Sequence, residues 1–488
     1  MSIALKETQT APAAAGSAEA LAPFLAAALV YLVVMAAGAK LLNDPDTYWH
    51  LAAGERILAQ GFPTADPFSF TFQGAPWIAK EWLSQLLFLG AFRLAGWPGM
   101  VVLAAAAVAL AFGLLARFLT ARLSLLGSVA GLAVAFVLVT PHALARPHIL
   151  ALPVIVAWVA GLVRASDEGR APSWPLVLLM VLWANLHGSF LLGLGLVAAL
   201  GLDATVSAGR YDRARTAWAW MRFGAVALLA ACITPYGAGT LGAAWKVLSI
   251  GSSLSLIGEW QPADFSHISA LEIVLLAGLG AALVSGIRIP IVRVAILLGL
   301  VHMALSAERN AEILGLLAPM VLAAPIGRQV PALAPQQPAG KASPVMAAIV
   351  LALMVPLSFG FAALGSYQPP ARITPAAAVA AIKDAGITRV LNDYDFGGYL
   401  VSAGVPTFID GRTELYGGAF VNRYVKAVTL ADLDDFRTLL DEYAIGATLL
   451  PPSLPAVAFL DTQPGWQRLH ADDVAVVHIR LPLRASLD

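Results

Sequence analysis

Charge is scarce in this sequence, and cysteine is nearly absent. Only 12% of its 488 residues are Asp, Glu, Lys or Arg, the two signs cancel to a formal net charge of zero, and there is a single cysteine. So few charges exclude an ordinary soluble globular protein. Their balance removes the strong global field expected of a nucleic-acid binder, so no nucleic acid is expected as a partner. One cysteine excludes an intramolecular disulfide and speaks against an iron–sulfur or zinc-thiolate centre; Cys232 lies in an apolar run and is read as helix packing. Also missing are a Walker loop, a GxGxxG fingerprint after a strand, HExxH and GxSxG, so nucleotide-driven transport and serine or zinc hydrolase chemistry lose support. No internal repeat is visible, nor a matched pair of broken helices in two halves, which weakens a secondary transporter.

Hydrophobic residues fill the space, at 59% of the chain and a mean hydropathy of +0.77. Such a chain belongs in a bilayer. A crossing helix needs about 20 mostly apolar residues, and runs near 21–42, 81–96, 98–117, 123–140, 148–164, 175–200, 222–236, 271–287, 290–306, 309–326 and 344–364 qualify. The reading is an α-helical polytopic membrane protein of about eleven transmembrane helices, preceded by a disordered cytoplasmic segment 1–20. Residues 21–365 form its membrane domain. The run beginning at Leu21 is longer than a signal-peptide core and is followed by many like it, so it is read as an uncleaved spanning helix. Lys/Arg-bearing loops mark the cytoplasmic side: Arg210, Arg213, Arg215 and Arg222 in one, Arg288, Arg293, Arg328 and Lys341 in two others. This puts 43–80, 237–270 and 366–488 outside. It also leaves Arg117 and Arg122 on the outer face, against the rule.

Beyond Ser366 the composition changes. APAAAVAAIKDAG and LADLDDFRTLLDEYAI read as helices; ITRVLND, VPTFID, ATLLPP and VAVVHIRL read as strands. Strands interleaved with helices predict a small C-terminal α/β domain, 366–488, outside the membrane.

Chemistry concentrates in the first outer loop, LLNDPDTYWHLAAGERILAQ. Asp44 precedes a proline and is pushed toward extended backbone, Asp46 is placed to cap the helix that begins there, and His50 lies four residues on, on the same face. A carboxylate–imidazole cluster of this kind suits acid/base work or a metal; spacing alone equally allows a capping Asp46, a solvated Asp44 and an interfacial His50. Glu81, after the strand-like PFSFTF, is a second-tier catalytic candidate or a first-turn acid. Within the membrane Asn185 and His187 of WANLHG are costly polar groups, read as substrate-facing or as interhelical hydrogen-bonders. Arg146, Arg309 and Glu259 add the cations and polar groups a phosphorylated headgroup needs. In the C-terminal domain NDYDFGGY and IDGRTELYGG form two Gly-rich acidic turns, with Asp410 and Arg412 either contacting a sugar or phosphate or forming a local ion pair.

One spanning helix followed by DPDTYWHLAAGERIL, then DPFSFT, EWL, WANLHG and FIDGRTELYG, resembles the GT-C glycosyltransferase superfamily, in particular a bacterial branch related in architecture to protein mannosyltransferases and oligosaccharyltransferases. The resemblance implies a sugar donor linked to polyprenyl phosphate, inversion at the anomeric carbon, and an envelope glycan, lipid or protein as acceptor. It implies a first-loop acid as base or metal ligand; Asp44 matches that position best, with Asp46 second. A divalent cation, Mg or Mn, bound by Asp44, Asp46 and His50, is required by some members and not by others. The bacterial cytoplasmic membrane, with periplasmic outer loops, follows from the same resemblance. The competing expectations are a flippase or transporter of lipid-linked glycans, and a non-catalytic scaffold of a polysaccharide-assembly complex.

Overall fold

The structure is a computed structural model that describes residues 15–250, 260–335 and 344–481. Residues 1–14 of the expected N-terminal tail, and Glu259 with them, lie outside the described residues. The first helix already begins at Ala15 and runs to Ala36.

Among the described residues six helices are long and apolar enough to cross a membrane: Trp82–Thr120, Leu125–His142, Pro147–Asp167, Phe190–Ser207, Glu308–Gln329 and Val345–Leu364. Shorter apolar stretches are Ala20–Ala36 within the first helix and the helices Leu176–Leu186, Ala270–Ser285 and Ile291–Ser306. The stretch expected at 222–236 is instead the helix Arg213–Ala230, which starts earlier, ends six residues sooner and carries three arginines.

The stretches at 81–96 and 98–117 are separated by a break at Ala95–Gly96, at the expected boundary, where Gly96 takes φ +62° and Pro98 restarts the helix. One expected span differs in kind. The stretch at 175–200 is two helices. The first ends at Leu186, His187 is extended (φ −161°, ψ 144°), and the second starts at Phe190. Local bonds replace the helical ones there: Ser189 N–H donates to His187 Nδ1 at 3.3 Å, and Trp183 Nε1 donates to Ser189 Oγ at 3.0 Å.

The bundle has two chemically distinct ends. At one, Arg293 bonds Asp167 (2.6 Å) and Asp203 (2.9 Å), Arg122 reaches Asp167 at 3.3 Å, and Trp220 Nε1 donates to the Arg170 carbonyl at 3.2 Å. Arg117 and Arg122 therefore share this end with the arginines around 164–222 and 288–293. At the other end lie the Asn43–Pro45 turn, Arg146, His187 and Arg309, which line a common cavity.

The C-terminal part contains a four-stranded sheet in the order β1-β2-β4-β3. β1 (Val390–Asn392) runs parallel to β2 (Ala447–Leu450), which pairs antiparallel with β4 (Val476–Arg480); β3 (Trp466–Ala471) is the outer strand. β1 and β2 are wholly buried, which their apolar runs VLN and ATLL require. Asp432 caps the amphipathic helix Leu433–Glu442, accepting from Asp435 N–H at 3.0 Å, and Phe436, Leu439 and Leu440 face the core.

VPTFID is not a strand of this sheet. It lies against the first outer loop, joined by Phe70 N–H to Thr407 O (3.0 Å) and Thr407 N–H to Phe68 O (3.1 Å). Asn392 satisfies it from the other side, accepting from Phe408 N–H and donating to Ile409 O. PFSFTF likewise forms only an isolated bridge, Ser69 to Thr407. Its Phe70 and Phe72 pack into the core of the C-terminal part, so the outer loop and that part are built as one body over the cavity.

Candidate active site

The cavity has a volume of about 1080 Å³. Asp44, Asp46, His50, Lys80, Glu81, Arg146, His148, His187, Arg309, Glu312, Tyr394, Asp395, Thr413 and Glu414 supply its polar lining, and Leu152, Ile155, Leu191, Leu192, Met303 and Ile313 its apolar wall.

The Asp-Pro-Asp turn organises one side. Asp44 Oδ1 accepts from Asp46 N–H at 2.8 Å, so Asp44, rather than Asp46, caps the helix Asp46–Gln60. Pro45 (φ −63°) suits the position just ahead of the first turn. Asp46 is thereby released to face the cavity. Both carboxylates meet one guanidinium: Arg146 Nε lies 3.0 Å from Asp44 Oδ2, and Arg146 Nη2 lies 2.6 Å from Asp46 Oδ2. Arg146 is extended because Pro147 follows it, and its neighbour Ala145 N–H donates to Leu41 O at 2.7 Å, fixing this cation to the short helix Gly38–Leu41 that follows the first helix. His50 shares the Asp46 face, as its spacing predicts. Its Nδ1 lies 3.3 Å from Gln85 Nε2 and its ring stacks on Trp49. Burial, aided by the positive charges of Arg146 and Lys80, holds its pKa well below the usual histidine range, so the imidazole is neutral.

Across the cavity, Lys80 Nζ is 2.6 Å from Glu414 Oε1, Glu81 Oε1 is 3.4 Å from His187 Nε2, and His148 Nε2 is 3.7 Å from Glu312 Oε2. Burial disfavours the charged form of Lys80, but Glu414 and Glu81 outweigh it and raise its pKa. Burial raises the Glu81 carboxyl despite the nearby Lys80 cation. The Arg309 guanidinium lies 4.6 Å over the Trp260 ring.

The C-terminal part closes the top. A Cβ on Gly411 would sit 1.7 Å from Asp46 Oδ1, and one on Gly398 would sit 2.1 Å from the Pro45 carbonyl oxygen. Both glycine turns therefore press their backbones directly on the Asp-Pro-Asp turn. Asp410 and Arg412 flank Gly411 but do not face the cavity. They are fully buried: Arg412 bonds Asp410 (Nη2–Oδ2 2.7 Å) and Asp66 (Nη1–Oδ1 2.5 Å), and the Tyr416 hydroxyl donates to Asp410 at 2.8 Å. Burial works to raise the Asp410 carboxyl, yet Arg412 beside it holds it below the ordinary range. The local ion pair is the outcome here; the pair shapes the turn that presents Gly411, Thr413 and Glu414.

Asn185 is also committed elsewhere. It accepts from Trp82 Nε1 at 2.7 Å and donates to Val181 O and Ile233 O, outside the cavity lining. It pins helices together instead of facing substrate. Sequence reading passed over Glu312, Glu414 and Lys80 as site residues. Glu312 opens a helix beside Arg309, and Lys80 precedes Glu81, but both also read as ordinary helix-end charges. No local signal pairs Lys80 with Glu414.

The fit of a divalent cation can be judged from the donor set. Among the described residues no group of three or more His, Cys, Asp or Glu side chains is arranged to hold a metal ion. Arg146 fills the space between the two carboxylates, an arrangement that fits a guanidinium and not a metal.

No family model matches the sequence, and no curated protein matches it. Solved structures do. The oligosaccharyltransferase of Archaeoglobus fulgidus in its apo form aligns over 88% of this chain and 69% of its own, with a TM-score of 0.54 and 12% identity. The AglB oligosaccharyltransferase of Archaeoglobus fulgidus, in complex with an inhibitory peptide and a dolichol-phosphate, aligns over the same shares with a TM-score of 0.55 and 11% identity. This chain has an oligosaccharyltransferase fold. The resemblance to GT-C enzymes carried by the DPD, WANLHG and FIDGRTELYG segments agrees with it. The acidic turn sits between the helical bundle and the C-terminal cover.

Proposed function

We propose that the protein is a glycosyltransferase that moves a sugar from a polyprenyl-phosphate donor to an envelope glycan, lipid or protein acceptor, at the outer face of a bacterial cytoplasmic membrane. The observation that carries this reading is a buried carboxylate pair, Asp44 and Asp46, on the wall of a cavity that also presents Lys80 and Arg309 and is lined elsewhere by apolar side chains. The apolar residues suit the tail of a lipid donor, while Arg309 and His187 suit its phosphate. The named complex of the archaeal neighbour with a dolichol-phosphate supports the same donor class. Lys and Arg gathered at the end away from the cavity support a cytoplasmic location for that end, and so a periplasmic cavity and C-terminal domain. This sidedness removes the conflict over Arg117 and Arg122.

In the proposed step Asp44 accepts the proton of an acceptor hydroxyl as its oxygen attacks the anomeric carbon. The bond from that carbon to the phosphate oxygen breaks on the opposite side, and the phosphate leaves with the electron pair. Inversion follows. Arg309 balances the charge that develops on the leaving phosphate, and Arg146 keeps Asp44 and Asp46 ionised before the acceptor arrives. Neutral His50 orients through Gln85, and Glu81 holds His187.

The test is transfer of labelled sugar from polyprenyl-phosphate donors to envelope fractions by wild type and Asp44→Asn at matched expression. A loss of about 100-fold or more is expected for the variant. Equal transfer by both removes Asp44 as base. Absence of transfer from every donor in a broad panel turns the assignment to transport or scaffolding.

A further inference from the structure

We infer that Arg146 occupies the place of a divalent cation between Asp44 and Asp46, so that the carboxylate pair carries its own fixed counter-charge and takes up no metal. The binding claim stands on geometry alone; its consequence for turnover rests on the proposed glycosyl transfer.

Asp44 and Asp46 are 2% and 9% exposed, and two carboxylates this buried and this close require a cation to remain ionised together. The guanidinium supplies it from one edge, through Nε at 3.0 Å to Asp44 and Nη2 at 2.6 Å to Asp46. A planar fork suits this bridging geometry, and arginine stays protonated throughout the physiological pH range. Its backbone is prevented from swinging away. Arg146 is held extended before Pro147, Ala145 N–H is bonded to Leu41 O, and Thr47 Oγ1 donates to Ala145 O at 3.4 Å.

A metal in the same place would have to displace the guanidinium and complete a near-octahedral shell with water or with side chains nearby. The neighbouring candidates are engaged: His50 with Gln85, and Glu81 with His187. Consistent with this, no three-ligand set exists among the described residues.

The experiment is a Mn²⁺ titration of the purified full chain followed by electron paramagnetic resonance, together with thermal unfolding at each concentration. Wild type is expected to show no Mn²⁺ site that depends on Asp44. Arg146→Ala, which leaves the two carboxylates without this cation, is expected to gain one site per chain and to unfold at a higher temperature as Mn²⁺ is added; both gains are lost in Arg146→Ala/Asp44→Asn. Stoichiometric Mn²⁺ binding by wild type that disappears in Asp44→Asn overturns the inference, as does a folded Arg146→Ala that gains nothing. The wild-type titration decides the matter even if Arg146→Ala does not fold. Where transfer is measurable, wild type should retain it in chelator, and a loss restored by Mn²⁺ overturns the inference independently. Failure to find any transfer refutes the proposed function but leaves the Mn²⁺ result standing.

Discussion

Replacing Gly411 by alanine adds one methyl group at the place where the C-terminal cover meets the acidic turn. The new Cβ would stand 1.7 Å from Asp46 Oδ1, where ordinary contact begins at 3.4 Å, so something must move by more than 1.5 Å. Gly411 does not need a positive φ, so the backbone tolerates alanine and the whole effect is spatial. The carboxylate cannot yield freely, because Arg146 holds its other oxygen at 2.6 Å. Either Asp46 leaves Arg146 or the turn lifts off. Overpacking of this kind costs about 1–3 kcal/mol, and displacing a catalytic group by about 1 Å lowers turnover on the order of 100-fold. Thermal unfolding in detergent and sugar transfer should both fall. Gly398→Ala, which meets the Pro45 carbonyl at 2.1 Å, should destabilise at least as much, because a backbone atom cannot rotate away. Gly465→Ala, with nothing within 4 Å, should be neutral. If Gly411→Ala keeps wild-type stability and transfer, the cover does not rest on Asp46 and the closed site described above is wrong.

Arg412→Met leaves Asp66 and Asp410 buried without their shared cation and should lower stability by about 3–5 kcal/mol, read by unfolding; Asp410→Asn, which keeps the shape and one acceptor, should cost less. Lys80→Met should destabilise more than Glu414→Gln, since Lys80 retains Glu81 when Glu414 is neutralised, whereas removing Lys80 leaves two buried carboxylates facing each other; comparing the two unfolding midpoints at one pH settles the order. Burial and the adjacent Asp395 push the Asp393 carboxyl up to about 7. The folded state then binds more protons than the unfolded state between the ordinary carboxyl range and pH 7, so this group's contribution falls as pH rises through that window and is level above it. Asp393→Asn should remove that dependence: measured unfolding midpoints should gain on wild type at pH 8 and not at pH 4, and a constant difference across the range would refute the assignment.

The elements that could be read from sequence are those whose signal is local. The helix Leu433–Glu442 announces itself by an Asp cap and by Phe436, Leu439 and Leu440 at helical spacing. The acidic turn stands out because Asp-Pro-Asp directly follows an apolar run. Hydropathy could not see the break at His187, because one histidine and one glycine scarcely change the average of a long apolar window, while the break is made by hydrogen bonds to Ser189. VPTFID has the composition of a strand, yet its partner is the outer loop more than 300 residues earlier, a pairing that no window contains. Arg412 carries an obvious local partner in Asp410, but nothing local points to its second partner, Asp66, 346 residues earlier. Asn185 was misjudged for the opposite reason: its rarity in an apolar segment suggested ligand contact, and three protein groups satisfy it instead.

The seating of Gly398 and Gly411 on Pro45 and Asp46 has a bearing on how the chain is made. The acidic turn is translated well before its cover, with the helices of the bundle between them. Until residues near 411 have reached the same side of the membrane, Asp46 has no roof and the cavity has no upper wall. On the proposed glycosyl transfer, a chain cut before Gly398 lacks the roof over Asp46 and is expected to transfer no sugar.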